Sequence, residues 1–362
     1  MLLVIGYYYA QMNAQPNIFA LQALAPTETA AFQPFDVAVL VLSGFSHLAL
    51  HAYIEPLRIA NAIAGVSLFR WSIMGTSKQP VEGTNGLAMA VDASMDELSA
   101  RTGDRRADQV VLIAGEPVER QLSPQLNTFL RTIARRGIPI SAIGTGTWLL
   151  AQTGLLADTR CTIHWSRLAA FSEVFQTSRI RDSLFVKDGQ YSTCAGELAA
   201  FDLAVDLIGS HAGGFIAQEV CRHATVEGQR SGSKRQTGPS RLAFAGVSPK
   251  LELAMRTMEE NVEFPLSLGE VAQRVGISRR QLERLFAAHI GAPPVRHYLR
   301  IRVEHAKRLI EGTRMPIIDI AMACGFISAS HFAKSFRDFN GISPQKCRAK
   351  VPSWVGPGLG YT

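Results

Sequence analysis

Two related stretches near the end of the chain decide the fold of that region: SLGEVAQRVGISRRQLERLFAAHIGAPP at 267–294 and IIDIAMACGFISASHFAKSFRDFNGISP at 317–344. Before an internal turn the two copies align at an offset of 49 residues, as between Gly276 and Gly325, and beyond it the offset is 50. A single inserted residue in a turn, with the alignment kept on both sides, indicates two related folded units.

Each copy has the sequence pattern of a helix-turn-helix. A short helix ends at a Gly, which lets the backbone turn tightly, and a Ser then begins a second helix. Ser267 with Glu270 and Ser278 with Gln281 fit the capping box, in which each side chain bonds the other residue's free backbone amide. Both copies therefore predict a short helix followed by a capped second helix.

The second helix of each copy has an apolar face and an outward polar face. At about 100° per residue, the apolar faces are predicted to hold Leu282, Leu285, Phe286 and His289, and then Phe332, Ser335, Phe336 and Phe339. The outward faces and their edges hold Arg280, Gln281, Arg284, Ser330, His331, Lys334 and Arg337. Cationic and hydrogen-bonding groups on a helix can read base edges in a major groove, so we predict that these residues bind DNA. The alternative is a helical bundle whose basic faces are merely solvated.

The distribution of charge agrees with a nucleic-acid partner. The 362 residues are 47% hydrophobic, enough for two or three cores, and carry a net charge of +7. Residues 1–221 carry −4, residues 222–240 carry +3 and residues 241–350 carry +8. The basic excess lies in the last part of the chain, as expected if only that part contacts a polyanion.

This region resembles the DNA-binding domain of AraC-type transcription regulators, most specifically in the run IAMACGFISASHFAKSFRDFNGISP at 320–344. The resemblance extends from near Leu251 to Arg348 and implies an all-α domain with two helix-turn-helix modules. A long helix over Val295–Gly312 should join the modules and hold their second helices about one DNA turn, roughly 34 Å, apart. Cys347 departs from the family pattern, which usually has a tyrosine at this position.

The first part of the chain alternates predicted strands and helices. The strands are short apolar runs at 36–42, 70–75, 109–115 and 138–144. The helices between and after them are expected at 48–62, 122–136, 147–152 and 198–208. Near-continuous apolar strands are typical of a parallel sheet that is covered on both faces. The alternation predicts an α/β doubly wound, flavodoxin-like domain with a ligand site at the carboxyl ends of its strands.

The fourth predicted strand turns directly into a helix through Gly144–Thr147. Such a strand-turn-helix can hold a strained, exposed nucleophile, and it resembles the PfpI-type, glutamine-amidotransferase-like fold, in which a Cys stands at this position. This sequence has Gly144 there, and Cys161 and Cys194 lie on other predicted elements. We therefore expect no catalytic residue and no enzyme activity. The alternative is a PfpI-like hydrolase or amidotransferase fused to a DNA-binding domain.

A PfpI-type domain followed by an AraC-type domain is similar to the GlxA-like regulators, and this resemblance covers nearly the whole chain from Asp36. The runs that carry it lie at 44–61, 84–92, 144–165 and 193–208. Within that group the chain is similar to regulators that sense small amines. The resemblance therefore implies an effector such as betaine, carnitine or arginine.

We predict the effector site at the strand-end rim, formed by residues that follow the strands. It comprises Phe45, Ser46, His47, Glu116, Thr145, Thr147, Trp148, His164 and Trp165. Aromatic faces beside a carboxylate attract quaternary or guanidinium cations. The alternative is that Trp148 and Trp165 are core residues, that Glu116 caps a helix and that His164 is structural.

The expected segments are a mobile extension (1–34), a sensor and dimerisation domain (35–222), a flexible basic linker (223–246), the DNA-binding domain (247–350) and a tail (351–362). The linker is either a plain spacer or a phosphate contact. Its composition, rich in Gly, Ser and Arg without an apolar period, indicates flexibility. The extension begins with an apolar run that is too short to span a bilayer, and a cleaved signal peptide is the alternative to a mobile segment.

Five scattered cysteines form no CxxC pair and no cluster with His at metal-ligand spacing. Such a set indicates reduced thiols in a cytoplasmic protein, and we expect no metal and no cofactor. The combined hypothesis is a homodimeric regulator, an activator, that binds operator DNA and contacts RNA polymerase. A small metabolite would shift the population of its DNA- or polymerase-competent state. An architectural DNA-binding protein without a sensor role is a further alternative.

Overall fold

The computed structural model describes residues 33–100, 107–236 and 248–350. A seven-stranded sheet forms the centre of the first domain. Its strands are β1 (Phe35–Val41), β2 (Phe69–Gly75), β5 (Ala93–Ser94), β6 (Gln109–Ala114), β7 (Ile140–Gly144), β10 (Phe185–Asp188) and β11 (Tyr191–Cys194). Two small ribbons pair β3 (Val81–Glu82) with β4 (Ala88–Met89), and β8 (Arg160–Cys161) with β9 (Arg179–Ile180).

Helices cover both faces of this sheet. They are α1 (His47–Ala64), α2 (Met95–Ala100), α3 (Pro124–Arg135), α4 (Gly146–Gln152), α5 (Leu168–Val174), α6 (Ala199–Ala212) and α7 (Gly214–His223). Each face of the sheet buries its own apolar cluster, one beneath α1, α6 and α7 and the other beneath α3, α4 and α5. The four predicted strands and the four predicted helices are all present, because each was marked by a local apolar pattern.

The sheet order is β10-β11-β7-β6-β1-β2-β5. All neighbouring strands pair in parallel except β10 and β11, which form an antiparallel hairpin at one edge. The doubly wound fold is therefore confirmed. The hairpin was not predicted, since its strands FVKD and YSTC mix charged and polar residues with apolar ones and lack a continuous apolar run.

The described part of the predicted linker, up to Gln236, packs against the sensor domain. Arg230 donates from Nε and Nη2 to Asp202 Oδ2 at 2.9 and 2.6 Å, and its backbone amide donates to Oδ1 at 2.7 Å. The Asp202 side chain on α6 is almost completely buried, so it requires a compensating charge. That requirement holds the segment against the sensor domain. The rest of the predicted linker (237–247), the extension over 1–32 and the tail over 351–362 lie outside the described residues.

The second domain consists of seven helices in its described residues. They are α8 (Pro249–Glu260), α9 (Leu268–Val275), α10 (Arg279–His289), α11 (Pro294–Gly312), α12 (Ile317–Ala323), α13 (Ala329–Asn340) and α14 (Pro344–Lys350). Two helix-turn-helix modules, α9–α10 and α12–α13, lie on either side of α11 in the chain, as predicted. Cys347 is 5% exposed and packs into the apolar core of this domain, where the family pattern has a larger side chain.

Helix α11 also contacts the sensor domain, through α5. A Cβ atom added to Gly312, the last residue of α11, would lie 2.6 Å from Cβ of Ala170 and 3.2 Å from Nη1 of Arg167. Nearby, Arg235 donates to Asp182 of the sensor domain at 2.9 Å and to Glu260 of α8 at 2.6 Å. The two domains are therefore joined by a close helix contact and by an ion-pair bridge.

We predict that Arg230→Ala lowers the free energy of unfolding of the full chain by about 3 kcal/mol, because the buried Asp202 carboxylate loses its countercharge. Thermal and urea unfolding followed by circular dichroism would measure this loss. Arg222→Ala is the matched control, since Arg222 forms only an exposed pair with Glu219 and its removal should cost less than about 0.5 kcal/mol. Equal stability of the two variants would contradict the assigned role of Arg230.

Candidate DNA-reading faces and effector cavity

The turns of both modules are built as the sequence indicates. Both predicted capping boxes form: Ser267 with Glu270, and Ser278 with Gln281, each exchanging side-chain and backbone bonds. Gly276 ends α9 in the left-handed conformation with φ of 70°. These bonds satisfy the free amides at the starts of α9 and α10, and so fix the angle at which α10 leaves the turn.

The predicted DNA-binding side chains all lie on exposed faces. Arg280, Gln281 and Arg284 are exposed on α10, opposite the buried Leu282 and Phe286. The side chain of Gln281 already makes one hydrogen bond, because its Oε1 accepts from the Ser278 backbone amide at 2.8 Å. His289 was predicted to face inward and is exposed, because the last residue of α10 extends past the core that Phe286 fills.

Helix α13 presents the second face, on which Ser330, His331, Lys334 and Arg337 are exposed. The predicted inward side of α13 is confirmed: Phe332, Ser335 and Phe336 are buried, and Phe339 packs against the core. The His331 ring stacks edge-on against Phe326 at 5.5 Å between centroids, which restricts its orientation. No carboxylate bonds to Arg284, Lys334 or Arg337 among the described hydrogen bonds and ion pairs, so their charges face solvent.

A cavity of about 240 Å³ lies at the carboxyl ends of β1, β6, β7 and β11. Four of the predicted rim residues line it: Ser46, Glu116, Thr145 and His164. Glu197, which was not predicted, also lines this cavity and lies in the loop after β11. Glu197 has a left-handed φ of 48°, and its Oε2 accepts the Ser46 hydroxyl at 2.8 Å.

Carboxylates outnumber cations beside this cavity. Arg167 donates from Nε to Glu116 at 2.6 Å and from Nη1 to Glu119 at 2.9 Å, and also bonds Glu116 through Nη2. Burial raises the pKa of Glu119, with Arg167 opposing that shift. Burial also acts to lower the pKa of Arg167, but its bonds to Glu116 and Glu119 outweigh this and the pKa is raised. Glu197 bonds to neither arginine nor lysine in the described structure, so no ion pair offsets its negative charge.

The imidazole of His164 supplies a neutral polar wall. Its Nδ1 lies 2.8 Å from the Ser166 hydroxyl. Burial lowers the pKa of His164, and the negative charges of Glu197 and Glu116 only partly oppose the shift. The ring is therefore uncharged at neutral pH and adds no second cation to the site.

The remaining predicted rim residues do not line the cavity. Phe45, Thr147 and Trp148 are fully buried in the core, because β1 and α4 direct them beneath the sheet surface. His47 stacks on His51 and bonds the Leu87 carbonyl, and Trp165 faces the space between the two domains. An aromatic cage is thus not formed: no Phe, Tyr or Trp ring is among the described residues that line this cavity.

The elbow after β7 has the backbone of a nucleophile turn without the nucleophile. Gly144 has a φ of +62°, and a Cβ placed there would meet only the Gly196 Cα, at 3.8 Å. The nearby thiols are unsuited to replace it. Burial raises the pKa of Cys161 and of Cys194 to about 12, so both are protonated at neutral pH.

Comparison with known proteins identifies both halves. Residues 36–210 match the DJ-1/PfpI family and residues 271–350 match a helix-turn-helix domain. The HTH-type transcriptional regulator GbdR of Pseudomonas aeruginosa is 34% identical over 319 residues, covering 88% of this chain and 85% of GbdR. CdhR of the same species is 33% identical (88% and 92% covered), and GlxA of Rhizobium meliloti is 31% identical (88% and 96%); both are HTH-type transcriptional regulators. The chain belongs to the GlxA-like transcriptional regulators of the AraC family.

As a GlxA-like regulator, the protein binds DNA through its helix-turn-helix domain and regulates transcription. The DJ-1/PfpI fold of its first domain also occurs in enzymes, so the fold alone does not decide between sensing and catalysis. None of the described helices has both the length and the apolar character needed to cross a bilayer. The described residues contain no group of three or more His, Cys, Asp or Glu side chains suited to holding a metal.

We predict that Arg284→Ala and Lys334→Ala each weaken operator binding by about 1–3 kcal/mol, as expected for loss of a base-reading side chain. Fluorescence anisotropy with an operator duplex, selected from a random pool by the wild-type chain, would measure the affinities. Arg58→Ala on α1 of the sensor domain removes the same charge far from either module in the sequence and serves as control. Wild-type affinity in both variants would contradict the assigned faces.

Proposed function

We propose that this GlxA-like regulator senses a small cationic metabolite in the strand-end cavity and changes its affinity for operator DNA in response. The observation that carries the proposal is the placement of Glu116 and Glu197 on the cavity wall, with one guanidinium shared between Glu116 and Glu119. Concave sites at strand ends are the usual ligand sites of doubly wound domains. The net negative wall favours a positively charged ligand.

The walls favour a cation that carries N–H donors. A quaternary ammonium group has no hydrogen to donate and is best held by aromatic faces, which this cavity lacks among its described lining residues. Carboxylate, hydroxyl and imidazole groups instead accept hydrogen bonds from an ammonium or guanidinium. Among betaine, carnitine and arginine, the chemistry of the site supports arginine or a related primary amine.

Arg167 offers a physical route from the cavity to the DNA-binding domain. It bonds Glu116, which lines the cavity, and it immediately precedes α5, which packs on α11 near Gly312. A cationic effector would compete with Arg167 for the Glu116 carboxylate. Movement of Arg167 would then shift α5 against the helix that joins the two modules. Binding to the cavity changes the DNA-binding state only if the effector has unequal affinity for the two arrangements.

Several further features belong to the same proposal. We propose that the protein acts as a homodimer in the cytoplasm, that it is an activator which contacts RNA polymerase, and that its first domain senses without catalysis. Gly144 at the elbow and the protonated state of the buried thiols support the absence of catalysis. The proposed domain limits are 35–236 for the sensor, including the packed part of the linker, and 248–350 for the DNA-binding domain.

We expect arginine and primary amines to raise the melting temperature of the full chain more than betaine or carnitine at equal concentration. Glu197→Gln should weaken binding of the best amine by about 1.5–3 kcal/mol, because a charge-assisted hydrogen bond becomes a neutral one. Calorimetric titration would give the affinities, and Glu219→Gln on the surface of α7 is the control. Tighter binding of a quaternary ammonium than of any N–H cation would overturn the proposed ligand class.

We expect Arg167→Gln to separate sensing from response. This variant should still bind the amine, since Glu116 and Glu197 remain, but its operator affinity should no longer depend on amine concentration. Anisotropy titrations with and without saturating amine would test this. Arg120→Gln, a nearby exposed arginine that does not line the cavity, should respond as the wild type does. An unchanged response in Arg167→Gln would exclude this route.

A further inference from the structure

Ile327 is the most exposed large apolar side chain in the described part of the chain. Its side chain is fully open to solvent, at 105% relative exposure, and the next highest value is 76% for Phe264. Single exposed apolar residues are common on protein surfaces, so exposure alone carries no functional meaning. The position of Ile327 in its module is what gives the exposure significance.

Comparison of the two modules identifies Ile327 as the inserted residue in the turn. In the first module, Ile277 follows Gly276 and packs partly into the core before Ser278 caps α10. In the second module, Phe326 follows Gly325 and takes that inward place, at 2% exposure. Because Phe326 fills the core position and Ser328 caps α13, the extra residue between them is directed outward.

The turn that presents Ile327 is held firmly. Arg302 of α11 donates to the carbonyl oxygens of Cys324 at 2.8 Å and Gly325 at 2.7 Å. Its guanidinium lies 4.2 Å from the centre of the Phe326 ring, and Phe326 in turn packs edge-on against Phe332 at 5.1 Å. Ile327 therefore projects from a fixed backbone, so ordering it in a complex costs little conformational entropy.

Ile327 lies just before the N-terminus of α13, next to the first exposed residues of the predicted DNA-binding face. It comes directly before the capping Ser328, and Ser330 and His331 are exposed on the first turn that follows. The N-terminal residues of a recognition helix are those that contact base edges in the major groove. In that groove the apolar feature of a base pair is the 5-methyl group of thymine.

We propose that Ile327 packs against the 5-methyl group of a thymine in the operator and so sets a base preference for the second module. This inference rests on DNA binding through the helix-turn-helix domain. The partner is the thymine methyl rather than a protein surface, because the exposed side chain is continuous with the polar reading face of α13.

The test combines the Ile327→Ala variant with the removal of single thymine methyl groups from the DNA. Operators are first selected from a random duplex pool by the full-length wild-type protein, and each thymine is then replaced singly by deoxyuridine, which removes only the methyl group. At one thymine, this replacement should weaken wild-type binding about fourfold, the loss expected for one buried methyl group. Ile327→Ala should bind the thymine operator several-fold more weakly and should not distinguish thymine from uracil at that position.

Val295→Ala is the control, because Val295 is an exposed apolar residue at the start of α11, away from the second module's turn. It should reproduce the wild-type profile of methyl sensitivity, and both variants should keep the wild-type melting temperature. The inference would be overturned if, at every thymine, the losses of affinity from Ile327→Ala and from methyl removal simply added. It would also be overturned if Ile327→Ala bound the operator as the wild type does but reduced transcription. Failure of the wild-type protein to select any operator would instead contradict DNA binding itself.

Discussion

The rest of the structure depends on the burial of α11 against several elements at once. This helix of nineteen residues, about 28 Å long at 1.5 Å per residue, packs on α8, α10, α12, α13 and α14 and on α5 of the sensor domain. Its buried side chains, including Ile301, Ala306 and Leu309, belong to the single apolar core of the DNA-binding domain. Both second helices of the modules, α10 and α13, therefore pack on the same long helix.

The same helix contacts both the sensor domain and the turn of the second helix-turn-helix module. Contacts at its C-terminal end reach Arg167, whose partner Glu116 borders the cavity, while Arg302 near its middle holds the turn that precedes α13. In the proposed response, a displacement of α11 at one end would be carried to the other, since packed cores resist continuous deformation. The Arg235 bridge to Asp182 and Glu260 is a second attachment between the two domains.

Local patterns predicted the architecture, whereas contacts between distant residues were not readable from the sequence. The capping boxes at Ser267 and Ser278 and the apolar strands required only neighbours within four residues. The ion pair between Arg230 and Asp202 joins residues 28 positions apart, and no local pattern in the Gly- and Ser-rich segment predicts it. Trp148 was placed on the strand-end rim because it follows a strand, but the rotation of α4 turns it into the core. Glu197 was missed because its role depends on an unusual backbone conformation rather than on spacing.

The backbone conformation of Gly144 limits which side chains the elbow can accept. Most residues resist the left-handed backbone that Gly144 adopts freely, and a side chain there would carry a strain of roughly 1–3 kcal/mol. Mutation of Gly144 to cysteine would therefore lower stability, before any partner base existed to activate the thiol. Backbone energetics thus oppose the introduction of a nucleophilic side chain at this elbow.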